Sequence, residues 1–196
     1  VLQQRTLDGA TRFLVVCPAS VLVNWQREIE RRSTMPVIKI HGEDQLSALQ
    51  QWSTRSGIAL TTFDTLKSLP LTDAQITDLE VDTVIVDEAH YIKNPEAGRT
   101  KELKRWIDRT PHVTLMTGTP LENRVEEFVA LASLLDEQFA SGLGHVALAV
   151  GSDAFRMQAA PIYLRRNTQE VLQELPELIG SDEYCTWDGA DHAAYV

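Results

Sequence analysis

The chain has 196 residues, 43% of them hydrophobic, and a formal net charge of −10. That length and composition suffice for a full core in one domain of ordinary size, with room for part of a second. The acidic balance argues against a protein that grips nucleic acid by bulk charge and leaves only local basic patches for that purpose.

The cysteines, Cys17 and Cys185, lie far apart, and there is no Cys-x-x-Cys. Cys17 falls inside an apolar run and reads as a small buried hydrophobe. A reducing, intracellular setting is the expectation. No apolar run approaches the length of a membrane span and no signal-peptide pattern opens the chain, so no membrane is expected as a partner. The start at Val1 rather than Met leads us to expect a fragment or a processed chain.

In chain order, residues 1–8 read as the tail of a helix, with Leu2 and Leu7 as its apolar positions and Gly9 as its stop. Phe13-Leu14-Val15-Val16-Cys17 reads as a buried strand closed by Pro18. Val21, Leu22, Trp25 and Ile29 follow at helical spacing, with Ser20 placed to cap that helix. Residues 37–40 form a short strand, and Leu46, Leu49 and Trp52 mark a helix. Ile58-Ala59-Leu60-Thr61-Thr62 is a strand that ends in two hydroxyls. A helix-containing connection broken at Pro70 leads to Val84-Ile85-Val86, a strand that runs straight into Asp87-Glu88-Ala89-His90.

Residues 93–109 hold six basic and three acidic residues. With Leu103, Trp106 and Ile107 on one helical face, the bases fall on the other, either as a solvated surface or as a phosphate-contacting patch. Val113-Thr114-Leu115-Met116 reads as a further buried strand, ending in Thr117-Gly118-Thr119-Pro120. Gly118 there lets backbone approach closely, and the threonines offer hydroxyls. Val125, Phe128, Val129, Ala132 and Leu135 recur at helical spacing. Residues 142–151 read as a loop-like interruption, 168–175 as a short helix stopped by Pro176, and 183–187 as a late strand.

Strands alternating with helices imply βαβ units and an α/β, doubly wound, mainly parallel sheet. Three strands then bring polar clusters to one rim: Thr61-Thr62, Asp87-Glu88 and Thr117-Gly118-Thr119. Ligands of such sheets bind outside the carboxyl ends of the strands. Two adjacent carboxylates repel and lose hydration when buried, and Mg²⁺ relieves both problems. Mg²⁺ in phosphate chemistry is held by one or two carboxylates, waters and the substrate's phosphates. The reading is a Walker B-type site with Asp87 on the metal side and Glu88 facing an attacking water. An ordinary solvent-facing loop start is the plainer alternative.

These motifs resemble a known family. Asp87-Glu88-Ala89-His90-Tyr91-Ile92-Lys93-Asn94 resembles motif II of the Swi/Snf-type ATPases, double-stranded DNA translocases of helicase superfamily two. Leu115-Met116-Thr117-Gly118-Thr119-Pro120-Leu121-Glu122-Asn123 resembles their motif III, with Glu127 and Leu131 in the helix beyond. Leu14-Val15-Val16-Cys17-Pro18-Ala19-Ser20, with Asn24, Trp25 and Glu28, resembles motif Ia, and Leu60-Thr61-Thr62-Phe63 resembles motif Ib. Leu164-Arg165-Arg166, followed by Val171, Leu175 and Pro176, resembles the stretch between the two RecA-like lobes.

The resemblance implies a RecA-like first lobe over residues 1–160, with 161–196 as inter-lobe linker and start of a second lobe. It implies ATP and Mg²⁺ as ligands, with Asp87 holding Mg²⁺ through water and Glu88 activating the hydrolytic water. His90 would connect the ATP site to Thr117, Gly118 and Thr119. Pro18, Ala19, Ser20, Thr61, Thr62, Lys93 and Asn94 would meet double-stranded DNA, in keeping with sequence-independent phosphate contact. Arg165 and Arg166 would act between the lobes, and the second lobe would be a partner.

The sequence departs from the family in one respect above all. No Gly-Lys-Thr or Gly-Lys-Ser occurs, so the phosphate-binding Walker A loop is lacking. The expectation is a motor fragment inactive by itself. Two other readings compete: a non-catalytic DNA- or protein-binding module with a degenerate ATPase fold, and a metal-dependent hydrolase using Asp87, Glu88 and His90 as ligands. The amino-acid usage leans towards a bacterial cytoplasm, with a nuclear setting as the other option.

Overall fold

A computed structural model describes residues 1–118, 125–149 and 152–164. Thr119, Pro120, Leu121, Glu122, Asn123, Arg165, Arg166, Cys185 and the elements expected at 168–175 and 183–187 lie outside the described residues. The chain divides into two compact units, Val1–Ala159 and Ala160–Val196.

In the first unit, five parallel strands form one sheet in the order β2-β3-β1-β4-β5. They are β1 (Arg12–Cys17), β2 (Val37–Ile40), β3 (Gly57–Thr62), β4 (Thr83–Val86) and β5 (His112–Leu115). The helices are α1 (Leu2–Leu7), α2 (Leu22–Arg32), α3 (Gln45–Arg55), α4 (Phe63–Ser68), α5 (Asp73–Asp78), α6 (Gly98–Ile107), α7 (Val125–Leu135), α8 (Glu137–Ala149) and α9 (Ser152–Ala159). Single 3-10 turns occupy Ala19–Val21 and Ala89–Ile92.

The apolar runs form strands because both faces of the sheet are covered. On one face Phe13, Val15, Cys17, Ile58, Leu60 and Ile85 pack with Leu22 and Ile29 of α2. On the other, Leu14, Val16, Ala59, Val84 and Val86 pack with Trp52 of α3, Leu66 of α4 and Leu103 and Trp106 of α6. Phe128, Ala132, Ala140, Leu143 and Ala159 form a separate apolar cluster among α7, α8 and α9. The doubly wound parallel architecture expected from the sequence is therefore present.

Three expectations are corrected. Ser20 does not cap α2: it lies exposed inside the Ala19–Val21 turn, and Val21 occupies the cap position without a side-chain bond. Among the described residues β5 is the last strand of the sheet, its residues are only partly covered, and Met116, 40% exposed, lies beyond the strand end. Residues 142–149 belong to α8 rather than to a loop. A glycine costs a helix about 1 kcal/mol relative to alanine, a loss that burial of Leu143 between Gly142 and Gly144 offsets.

Candidate functional site

β4 runs between β1 and β5, and its carboxyl end sets the site. The Asp87 N–H donates to the Val16 carbonyl at 2.8 Å, so the chain stays paired with β1 one residue past the strand. Glu88 then adopts the left-handed conformation, φ 52° and ψ 50°. For a residue with a β-carbon this costs of order 1 kcal/mol or more and persists where neighbours over-determine it. Here they do. The Glu88 N–H donates to Asp87 Oδ1 at 2.9 Å. The Ala89 N–H donates to the Met116 carbonyl at 2.8 Å, and the Tyr91 N–H to the Glu88 carbonyl at 2.9 Å. Ala89 and Ile92 are buried and anchor the turn.

This sharp turn aims both carboxylates at the rim. Asp87 is gripped at both oxygens: Oδ1 by the Glu88 N–H, and Oδ2 by the indole Nε1–H of Trp25 at 2.7 Å. Glu88 Oε2 lies 3.1 Å from His90 Nδ1, and that nitrogen lies 3.5 Å from Thr117 Oγ1. A chain of polar contacts thus joins the end of β4 to the segment after β5. Gly118 sits across from Glu88, and a β-carbon at Gly118 would lie 4.0 Å from Glu88 Oε1, an ordinary contact. Beneath Asp87, burial pushes the Cys17 thiol up to about 12, with the Asp87 charge adding to the effect. Cys17 is therefore a packed, unreactive thiol at neutral pH.

The donor set fits Mg²⁺. Two half-buried carboxylates offer hard oxygen ligands, and each Asp87 oxygen keeps lone-pair capacity beyond the one hydrogen bond it accepts. A metal cage built by protein alone does not fit: among the described residues no group of three or more His, Cys, Asp or Glu side chains could hold a metal ion. The metal-hydrolase reading therefore lacks its ligand set in the described residues.

The expected nucleic-acid contacts fall into three groups. Ala19 and Ser20 are exposed and Pro18 half-buried, at the carboxyl end of β1. Thr61 and Thr62 are buried, and their hydroxyls act inside the fold. Thr61 Oγ1 donates to the Ile40 carbonyl at 2.8 Å. Thr62 Oγ1 caps α4 by accepting the Thr65 N–H and donates to Thr65 Oγ1 at 3.0 Å. Lys93 and Asn94 are exposed, but Lys93 pairs with Glu127 at 2.8 Å and Asn94 Oδ1 accepts the Glu96 N–H at 3.0 Å.

The basic surface of residues 93–109 is largely ion-paired: Lys101 with Glu96, Lys104 with Asp108, Arg105 with Asp73 and Glu102, and Arg109 with Asp73. Arg99 instead stacks over the Tyr91 ring, 5.7 Å from its centroid. The solvated-surface alternative describes most of this segment.

A five-stranded parallel sheet with helices on both faces and an aspartate–glutamate pair at its carboxyl rim has the architecture of a RecA-like lobe. Comparison with known proteins narrows the class. The family model described as SNF2-related domain matches residues 2–195. The chain belongs to that family. DNA excision repair protein ERCC-6-like 2 of Mus musculus is 32% identical over 93% of this chain and 13% of its own length. TATA-binding protein-associated factor BTAF1 of Arabidopsis thaliana is 26% identical over 88% of this chain and 9% of its own length. Among solved structures, the Sulfolobus solfataricus SWI2/SNF2 ATPase core in complex with dsDNA matches with a TM-score of 0.69 and 25% identity, over 99% of this chain and 42% of that one. The chain therefore spans less than half of each. None of these three organisms is a bacterium, so the bacterial leaning finds no support in them. No helix among the described residues is long and apolar enough to cross a membrane.

Sequence reasoning brought Asp87, Glu88, His90 and Thr117 together. It missed Trp25 as a partner of Asp87 and took it for an apolar helix position. Its signal was an amphipathic side chain at the start of a helix beside a carboxylate-bearing strand, and nothing in the sequence paired residues 62 apart.

Proposed function

We propose that the chain is the carboxylate-bearing part of the first lobe of an ATP-driven motor that translocates on double-stranded DNA. The observation that carries this reading is the contact series Asp87–Glu88–His90–Thr117 at the carboxyl ends of β4 and β5. Asp87 would hold Mg²⁺, which supplies charge neutralisation to the phosphates of ATP when bound. Glu88 would orient the hydrolytic water. His90 ties Glu88 to Thr117, so a shift of the segment after β5 alters the position of the base.

DNA contact falls best to the exposed Pro18-Ala19-Ser20 turn. Thr61 and Thr62 would shape that rim from inside, and Lys93 and Asn94 would reach phosphate only by exchanging their present partners. The division of the chain after Ala159 supports reading 161–196 as linker and start of the second lobe, with Arg165 and Arg166 between the lobes. Without a Gly-Lys-Thr loop the 196 residues alone would not turn over ATP.

The test is DNA-stimulated ATP hydrolysis by the full-length protein that contains this chain. Glu88→Gln keeps size and removes the charge that activates water. It should lower turnover roughly 10²–10⁴-fold, with nucleotide affinity nearly unchanged. Turnover at the wild-type rate in that variant would overturn the role of Glu88. A wild-type protein without DNA-stimulated hydrolysis would favour the non-catalytic module.

A further inference from the structure

Trp25 of α2 reaches the metal-side carboxylate from outside the rim segments. Its ring is half-buried against the apolar cluster of Phe13, Val15, Cys17, Leu22 and Ile29. Its Nε1–H, a group that can only donate, lies 2.7 Å from Asp87 Oδ2. A hydrogen bond to an ionised acceptor is about twice as strong as a neutral one. The opposite oxygen accepts the Glu88 N–H at 2.9 Å. With one donor on each oxygen, the carboxylate plane cannot turn without breaking a bond. Packing fixes the ring, and the ring fixes the carboxylate.

The position of Trp25 adds a second consequence. α2 begins directly after the exposed Ala19–Val21 turn, and Trp25 stands in its first turn. A displacement of the turn moves the donor with it. Asp87 is thereby joined to the rim at β1, just as Glu88 is joined through His90 to the rim at β5.

We propose that Trp25 is a positioning residue: its indole N–H holds the Asp87 carboxylate in the orientation that takes the Mg²⁺ of bound nucleotide. This inference rests on the motor reading above. Partners that orient a metal-binding carboxylate are worth roughly 10–100-fold in metal affinity. Trp25→Phe keeps the ring and its packing and removes only the donor.

Two measurements test it. In the full-length protein, fluorescent-nucleotide titrations are run with Mg²⁺ and with a chelator. Trp25→Phe should weaken Mg-ATP binding roughly tenfold while metal-free ATP binds as in the wild type. Equal loss in both conditions, or loss in neither, would overturn the positioning role. In the 196-residue chain, indole N–H resonances report the contact without nucleotide. Asp87→Asn should shift the Trp25 resonance and speed its exchange with water. The Trp52 indole, bonded to the Gly57 carbonyl, and the Trp106 indole, bonded to Glu102, should stay unchanged. A Trp25 indole indifferent to Asp87→Asn would remove the contact itself. A wild-type protein whose nucleotide affinity ignores Mg²⁺ would instead remove the motor reading, and the indole spectrum would then decide for Trp25 alone.

Discussion

The two ends of the sheet are built to opposite designs. At the amino end, charged side chains are tied to partners on several elements. Arg5 donates to both oxygens of Asp82, at 3.1 and 2.8 Å, and Asp82 also accepts Thr83 Oγ1 at 2.6 Å. Arg12 donates through Nη1 to the Leu79 carbonyl and through Nη2 to the Ser53 carbonyl and Ser56 Oγ, while its buried Nε is left without a partner. These contacts clamp α1, α3 and α5 to the starts of β1 and β4. At the carboxyl end, two carboxylates sit side by side, one of them on a left-handed residue: Asp87 accepts the uncharged Trp25 indole and Glu88 N–H, and Glu88 lies against His90. The difference separates stability from chemistry. Backbone strain is common to both ends, since Ser56 (φ 62°) and Glu80 (φ 50°) are left-handed at the amino end as Glu88 is at the other, and what sets the carboxyl end apart is its pair of adjacent carboxylates.

The core between the two ends must be intact for either to exist. Ile85 is 3% exposed in the middle of β4. Ile85→Asp buries an unpaired carboxylate and costs several kcal/mol, as a rough figure, enough to unfold the chain. A cooperative thermal transition at the wild-type temperature in that variant, followed by circular dichroism, would show that β4 is not a central buried strand.

The strain at the carboxyl end gives a smaller effect of opposite sign. Glu88→Gly and Glu88→Ala both delete the side chain, but glycine accepts φ of 52° without a steric clash. In urea denaturation Glu88→Gly should be more stable than Glu88→Ala by about 1 kcal/mol. Equal midpoints would mean that no strain is stored at this turn.

The smallest effect belongs to the clamp at the amino end. The hydrogen bond from Arg5, chiefly, holds the Asp82 carboxyl below its ordinary range. A depressed carboxyl stabilises the fold above its unfolded value, and that stability is lost as pH falls through the folded value. Asp82→Asn should lower the thermal midpoint at pH 7 by about 2 °C. The gap to wild type should close as the pH drops below about 4. A gap that stays constant with pH would show that the ion pair does not stabilise this end.

Much of this was legible before the structure. β1, β3 and β4 are short apolar runs without alternation, and their length, β-branched residues and flanking breakers favour a strand buried on both faces. β5 differs: Val113-Thr114-Leu115-Met116 looks like its neighbours, yet among the described residues it ends the sheet, and sheet order is something a local run does not encode. The glycines at 142 and 144 suggested a break, but burial of Leu143 carries α8 through them. Within the site, Asp87, Glu88 and His90 were readable as one motif. The threonine hydroxyls of β3 were placed on the rim because sequence shows that a hydroxyl is present, not where it points. Thr61 and Thr62 turn theirs inward, to the Ile40 carbonyl and to the start of α4. The basic face of α6 likewise lost its apparent availability to Asp73, Glu96, Glu102 and Asp108, partners spread from 73 to 108.

On the proposed reading, these residues would carry the carboxylate side of an ATP site and not its phosphate cradle. Calorimetric titration of the 196-residue chain with Mg-ATP tests it most directly. No Gly-Lys-Thr or Gly-Lys-Ser loop is present to offer a nest of N–H groups and a lysine to the phosphates. Asp87 and Glu88 face a negatively charged ligand, and a metal that keeps most of its waters is a weak tether. No binding heat is expected at micromolar nucleotide. Micromolar binding, with the Asp87→Asn variant binding equally well, would place the phosphate site elsewhere and contradict that reading.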